Sequence, residues 1–239
     1  SGQNYSLQDF GGGTGTTKMY GADGVNKGFE FDGTTFVKIN TGMTTDTPLH
    51  VKAHKNHLFF SFLGSAQHSG IGTPYVWTVV TGAGELACGD TITNFLELAG
   101  DAAGATMAIY TRNRTLVLYG NDSTDWNLVP YSEEAGALAY TAQFIRQGMV
   151  MDDQGITMLS TTQRYGNFRD AVVSDQITPY LTDLISTTKA SCICRKKNQY
   201  RLFFSGGGGV YMTFAQARPT YSGVNAPGAM GMTTIDLPN

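Results

Sequence analysis

A hairpin-like unit recurs along this chain, and that recurrence limits the possible folds more than any other feature. An apolar or alternating run, a short polar tip and a second apolar run occupy Val51–Phe62. The same pattern returns at Met107–Gly120, Met149–Leu159 and Ser191–Ser205. Each reads as a β-hairpin, with β-branched and aromatic runs flanking a turn that contains Asn, Asp or Gly. A looser copy opens the chain, with Lys18–Ala22 leading to Gly28–Gly33 and then a strand over Thr35–Ile39. Taking Asn56, Asn113, Asp153 and Asn198 as markers, the steps are 57, 40 and 45 residues. That is near the length of a four-stranded propeller blade. A β-sandwich is the alternative, but its turns recur every 8–12 residues or so. The expected fold is all-β: a propeller or partial propeller of four to five blade-like repeats.

Composition agrees. Gly and Thr number 30 each in 239 residues, and charged residues make up 15%, against about 25% in ordinary globular proteins. Exposed helix faces need Glu, Lys and Ala, whereas short strands and tight turns need Thr, aromatics and Gly. One segment breaks the β rhythm. Ile177, Tyr180, Leu181, Leu184 and Ile185 fall at helical spacing, with Thr178 as a candidate cap and Pro179 at the first position. The spacing predicts a two-turn helix packed on a sheet. The boundaries expected are a flexible Gly-rich lead-in at 1–17, a propeller-like domain at 18–214, and a tail or closing segment at 215–239. No run approaches 18 apolar residues, so no spanning helix is expected. The start, Ser1-Gly2-Gln3-Asn4, has neither a secretory signal nor Met, as expected of a processed, tagged or partial chain.

Catalytic and metal-binding motifs are sparse. There is no G-x-S-x-G, P-loop or H-E-x-x-H, and Gly11–Gly15 lacks the Lys a phosphate cradle needs. His54 and His57 are three apart, which on a strand sends them to opposite faces and argues against a shared metal. Cys192 and Cys194 would share one strand face as small buried hydrophobes, and with Cys88 they make an odd count that is no disulfide framework. Asp152 and Asp153 suit a turn. Asn121–Trp126 resembles a calcium loop only loosely and lacks the spacing of a sialidase Asp-box, so Trp126 is expected to anchor a turn against the core. Neither a metal nor another cofactor is expected, and the chain reads as a non-enzyme.

The cations are unevenly placed. Lys52, Lys55, Arg112, Arg114, Arg195, Lys196, Lys197 and Arg201 are eight of the 16 Lys and Arg residues, and all lie at or beside three hairpin tips. If those hairpins are equivalent, their tips make a basic ring on one face, suited to an acidic partner or to backbone phosphates. Cations at exposed β tips also prevent edge aggregation, which is the plainer explanation. The net charge of −3 argues against bulk nucleic-acid binding.

Several runs together resemble a family. Tyr20–Gly33, Lys55-Asn56-His57-Leu58-Phe59-Phe60-Ser61, Met149–Ile156 and the turn from Leu118 to Trp126 are similar to the β-propeller tail proteins of short-tailed phages. These are the nozzle, or tail tubular protein B, and related packaged-DNA stabilisation proteins. The resemblance covers residues 18 to 214. It implies a structural virion protein of the phage tail, assembled in the host cytoplasm. Such a protein forms a homo-oligomeric ring, a hexamer in the family, below the portal and adaptor, and the ring retains and conducts the genome. The implied partners are tail adaptor or portal-proximal proteins, with transient contact to genomic DNA and no membrane insertion. Two other classes stay open: a glycan-binding or glycan-degrading propeller, which would use arginines such as Arg146, Arg164 and Arg169 with paired carboxylates, and a monomeric protein-binding scaffold.

Overall fold

A computed structural model describes residues 4–10, 17–98, 106–159, 172–214 and 230–235. The chain is all-β, a propeller of five small antiparallel blade-like sheets with a short helix. The β-sandwich alternative is not what forms. Sheet 1 contains β1 (Asn4–Gln8), β2 (Lys18–Ala22), β3 (Phe29–Phe31) and β4 (Phe36–Lys38). Sheet 2 contains β5 (Val51–His54), β6 (His57–Phe62), β7 (Ser65–His68) and β8 (Gly84–Ala87). Sheet 3 contains β9 (Ile92–Glu97), β10 (Met107–Thr111), β11 (Thr115–Tyr119) and β12 (Asn127–Ser132). Sheet 4 contains β13 (Gln143–Ile145), β14 (Gln147–Met151) and β15 (Ile156–Met158). Sheet 5 contains β16 (Thr188–Cys194), β17 (Gln199–Phe204), β18 (Gly209–Phe214) and β19 (Met230–Ile235). In every sheet the strands pair in sequence order as a meander.

The sheets divide into two compact units, Ser1–Ala137 with sheets 1 to 3 and Leu138–Asn239 with sheets 4 and 5. In the first unit sheet 2 is sandwiched, and period-2 alternation assigns its side chains to two cores. Val51, Leu58 and Phe60 pack with Tyr20 and Ala22 of sheet 1 and with Ile39, which follows β4. Phe59, Ala66 and Cys88 pack with Ile92, Met107, Ile109 and Leu118 of sheet 3. The strands β6, β10 and β11 are almost wholly buried, while β4, β8 and β12 are largely exposed edges. The second unit has its own core of Met149, Met151, Tyr200, Leu202, Val210 and Met212, which Leu181 of the helix joins.

Several expectations change in detail. The helix α1 (Thr178–Leu184) forms with Pro179 in its first turn, but Ile177 stands at the cap position. Thr178 lies inside the helix, and its hydroxyl donates back to the Ser174 carbonyl at 3.1 Å. Cys192 is exposed and Cys194 half-buried, because β16 turns one side outward; Cys88 alone is buried. The first strand, β1, falls within the stretch expected as a flexible lead-in. Within the segment expected as a tail or closing segment, β19 pairs with β18 as the last strand of sheet 5. Gly11–Gly15, Arg164 and Arg169 lie outside the described residues.

Candidate functional site

The hairpin β5–β6 turns through Lys55 and Asn56, both with positive φ, at 46° and 61°. This is the twist-matched geometry of a two-residue hairpin. It makes His54 and His57 direct cross-strand partners, so they share a face, contrary to the opposite faces expected from counting. Parity along a strand does not carry across a two-residue turn. Phe59 and His68 are also partners, and all of these side chains point at sheet 3. Together with His50, every histidine of the chain is buried in or beside sheet 2.

This histidine seam has a defined proton pattern. The Ser69 carbonyl accepts from His57 Nδ1 at 2.7 Å and from His68 Nδ1 at 3.1 Å. A carbonyl oxygen only accepts, so each Nδ1 carries the proton and each Nε2 is left as a bare lone pair. The two rings stand edge to face at 5.4 Å. Trp126 packs on both, with centroids 4.7 Å from His57 and 4.2 Å from His68. The Nε2 atoms of His54 and His57 and the Nε1 of Trp126 are buried with no hydrogen-bond partner among the described residues. Gly84 lies opposite His68, and a Cβ there would stand 2.7 Å from its Nε2. Only a glycine leaves space for that ring. His54 Nδ1 faces the Glu97 carboxylate at 3.3 Å, and Lys52 Nζ lies 3.6 Å from its other oxygen.

Burial sets the protonation. It pushes His50 and His68 down to about 4, opposed in each by a backbone hydrogen bond. It also lowers His57, against the Ser69 bond and the charge of Asp122. The His54 hydrogen bond holds Glu97 below the usual carboxylate range, despite its own burial, and Lys52 assists. The seam is therefore neutral at its buried His57–His68 end and charged at the partly exposed Lys52–Glu97 end at pH 7.

The basic tips do not form one equivalent set. Lys55 is in the turn between the first and second strands of sheet 2, with Lys52 within β5 before it, and Lys55 Nζ reaches Asn121 in the β11–β12 turn at 3.3 Å. Arg112 and Arg114 flank the β10–β11 turn, between the second and third strands of sheet 3. Because adjacent strands run antiparallel, that turn is at the opposite end of sheet 3 from Asn121. Arg114 is paired there with Glu133 at 3.2 Å. In the second unit Arg195, Lys196 and Lys197 form an exposed turn between β16 and β17. Arg201 is not at a tip: it sits within β17, donating to Gln199 Oε1 at 2.7 and 3.1 Å. The acidic turns are self-satisfied. Asp152 accepts from the Gln154 and Gly155 amides, and Asp125 from the Asn121 and Asp122 amides. No group of three metal-binding side chains is found among the described residues.

The sequence pattern of Tyr75–Val80 predicts a further strand, but these residues form no strand: they lie in the loop between β7 and β8, and Val79–Thr81 is a 3₁₀ turn closed by the left-handed Gly82. From Ser69 to Gly84 the loop contains no charged residue. Trp77 stacks on Phe60 at 5.3 Å and 13°, and its Nε1 donates to the Pro74 carbonyl at 2.9 Å. The Thr78 and Thr81 hydroxyls bond at 2.8 Å across a 3₁₀ turn that ends on Gly82. These contacts hold Val79 at 80% and Val80 at 98% exposure, with Ile71 and Tyr75 also exposed. The signal was an uninterrupted uncharged run with two adjacent β-branched residues outside any strand. No protein-family model and no curated protein sequence matches this chain.

Proposed function

We propose that this chain is a structural protein of a phage tail, a propeller forming part of the ring or nozzle below the portal and adaptor, where the genome is retained and conducted. The observation that carries the reading is the β7–β8 loop. A fastened, uncharged loop that presents two valines to solvent is the kind of surface a subunit keeps for assembly. The aromatic-rich motif runs behind the family resemblance support the same reading. The mechanism requires no chemistry. Successive subunits would bury the loop, and basic tips such as Arg195–Lys197 would meet acidic partner surfaces or passing phosphates.

Negative-stain electron microscopy of the purified chain, with mass by light scattering, tests the reading. Rings, six-fold in the family pattern, are expected, and Val79→Asp with Val80→Asp should dissociate them. A lone small disc unaffected by the substitutions would favour a protein-binding scaffold instead. Hydrolysis of a chromogenic glycoside would overturn the reading outright.

A further inference from the structure

We propose that His57 and His68 form an acid-operated latch: uptake of a proton at each Nε2 releases Trp126, and the β11–β12 turn it anchors, from sheet 2 while the sheets remain folded. The argument begins with the tautomer. Both Nδ1 protons are already committed to the Ser69 carbonyl, so any further proton must go to Nε2. His57 Nε2 is buried with no acceptor among the described residues, and His68 Nε2 lies against Gly84. The rings are 5.4 Å apart. The Asp122 carboxylate favours a proton on His57, but two protons in the closed seam would be like charges at close range. Opening exposes both Nε2 atoms to water together, so the open form takes up two protons and the transition is steep.

The other charged groups around the pair do not cancel this. His54, on β5, adds repulsion to His57, and its own partner Glu97, on β9, is shared with Lys52. Lys55, at the tip, is directed to Asn121. Asp125 accepts hydrogen bonds from its own turn. What yields is the weakest attachment. The backbone amides of the β11–β12 turn are held by its own Asp122 and Asp125, the bond from Lys55 to Asn121 is exposed, and Trp126 precedes β12, an edge strand with no buried residue. Edge elements with few buried contacts are those that open below the global transition. The latch is independent of what the β7–β8 loop binds.

The two tryptophans of the chain make the test direct, because Trp77 stacks on Phe60 on one face of sheet 2 and Trp126 packs on the other. Fluorescence of Trp77→Phe, titrated from pH 7.5 to 3.5, should show a reversible red shift of Trp126 with a two-proton slope and unchanged far-UV circular dichroism. His57→Gln with His68→Gln should abolish the shift. If Trp77→Phe fails to fold, hydrogen exchange on the wild-type chain reads the same event. After correction for intrinsic exchange, 120–127 should lose protection in acid while 107–118 keep it. Emission that stays flat, a shift that persists in the double variant, or coincident loss of dichroism and protection everywhere would overturn the proposal.

Discussion

Glu30 is 4% exposed and still charged. Burial alone would raise its pKa, but Lys18 Nζ at 2.6 Å, Tyr20 Oη at 2.7 Å and a bond from Tyr75 hold it below the usual carboxylate range. The same carboxylate and burial push the Tyr20 hydroxyl upward. Tyr20→Phe removes one donor and leaves a buried oxygen short of a partner, so a loss of about 1–3 kcal/mol is expected, measured by urea unfolding. At this scale the sequence was least legible. Nothing in the spacing of Lys18, Tyr20 and Glu30 marks a buried charge, because their meeting depends on the register of β2 against β3, where Tyr20 faces Glu30. His54 and His57 show the same limit from the other side. Their identities were plain, but their common face depends on the positive φ of Lys55 and Asn56, which non-glycine residues do not advertise.

At the level of elements, the hairpins were readable because alternation and tight turns are local properties. What they did not reveal is which strands of a blade each hairpin joins. Val51–Phe62 and Ser191–Ser205 span first and second strands, whereas Met107–Gly120 and Met149–Leu159 span second and third. The uneven steps of 57, 40 and 45 residues follow in part from that offset, and so does the separation of Lys55 from Arg114. The end of the first unit is fixed by close packing on one of these turns. The Ala137 amide donates to the Thr111 carbonyl at 2.9 Å, and a Cβ on Gly136 would collide with that carbonyl and with the Arg112 backbone. Backbone cannot swing aside as a side chain can. Gly136→Ala should therefore cost about 1–3 kcal/mol, seen as a lower Tm in calorimetry.

Across the whole molecule, acid should weaken the fold in two stages. His50 and His68 fall from 6.5 to about 4 on folding, so the unfolded chain takes up protons first. Stability is complete above pH 6.5, declines as pH falls from there, and levels off below about 4, with each histidine contributing on the order of 3 kcal/mol. Glu30 acts later. Its folded pKa is lowered, so its contribution is present above 4.5 and is lost as pH falls through the folded value. Tm measured between pH 7.5 and 3.5 should decline from below 6.5, and His50→Gln with His68→Gln should flatten the first stage. The placement of the histidines has one more consequence. All four lie in Ser1–Ala137, so Leu138–Asn239 is silent to imidazole spectroscopy. Every histidine carbon–proton resonance in an NMR titration will report on a single seam, giving the protein a built-in, label-free probe of one blade.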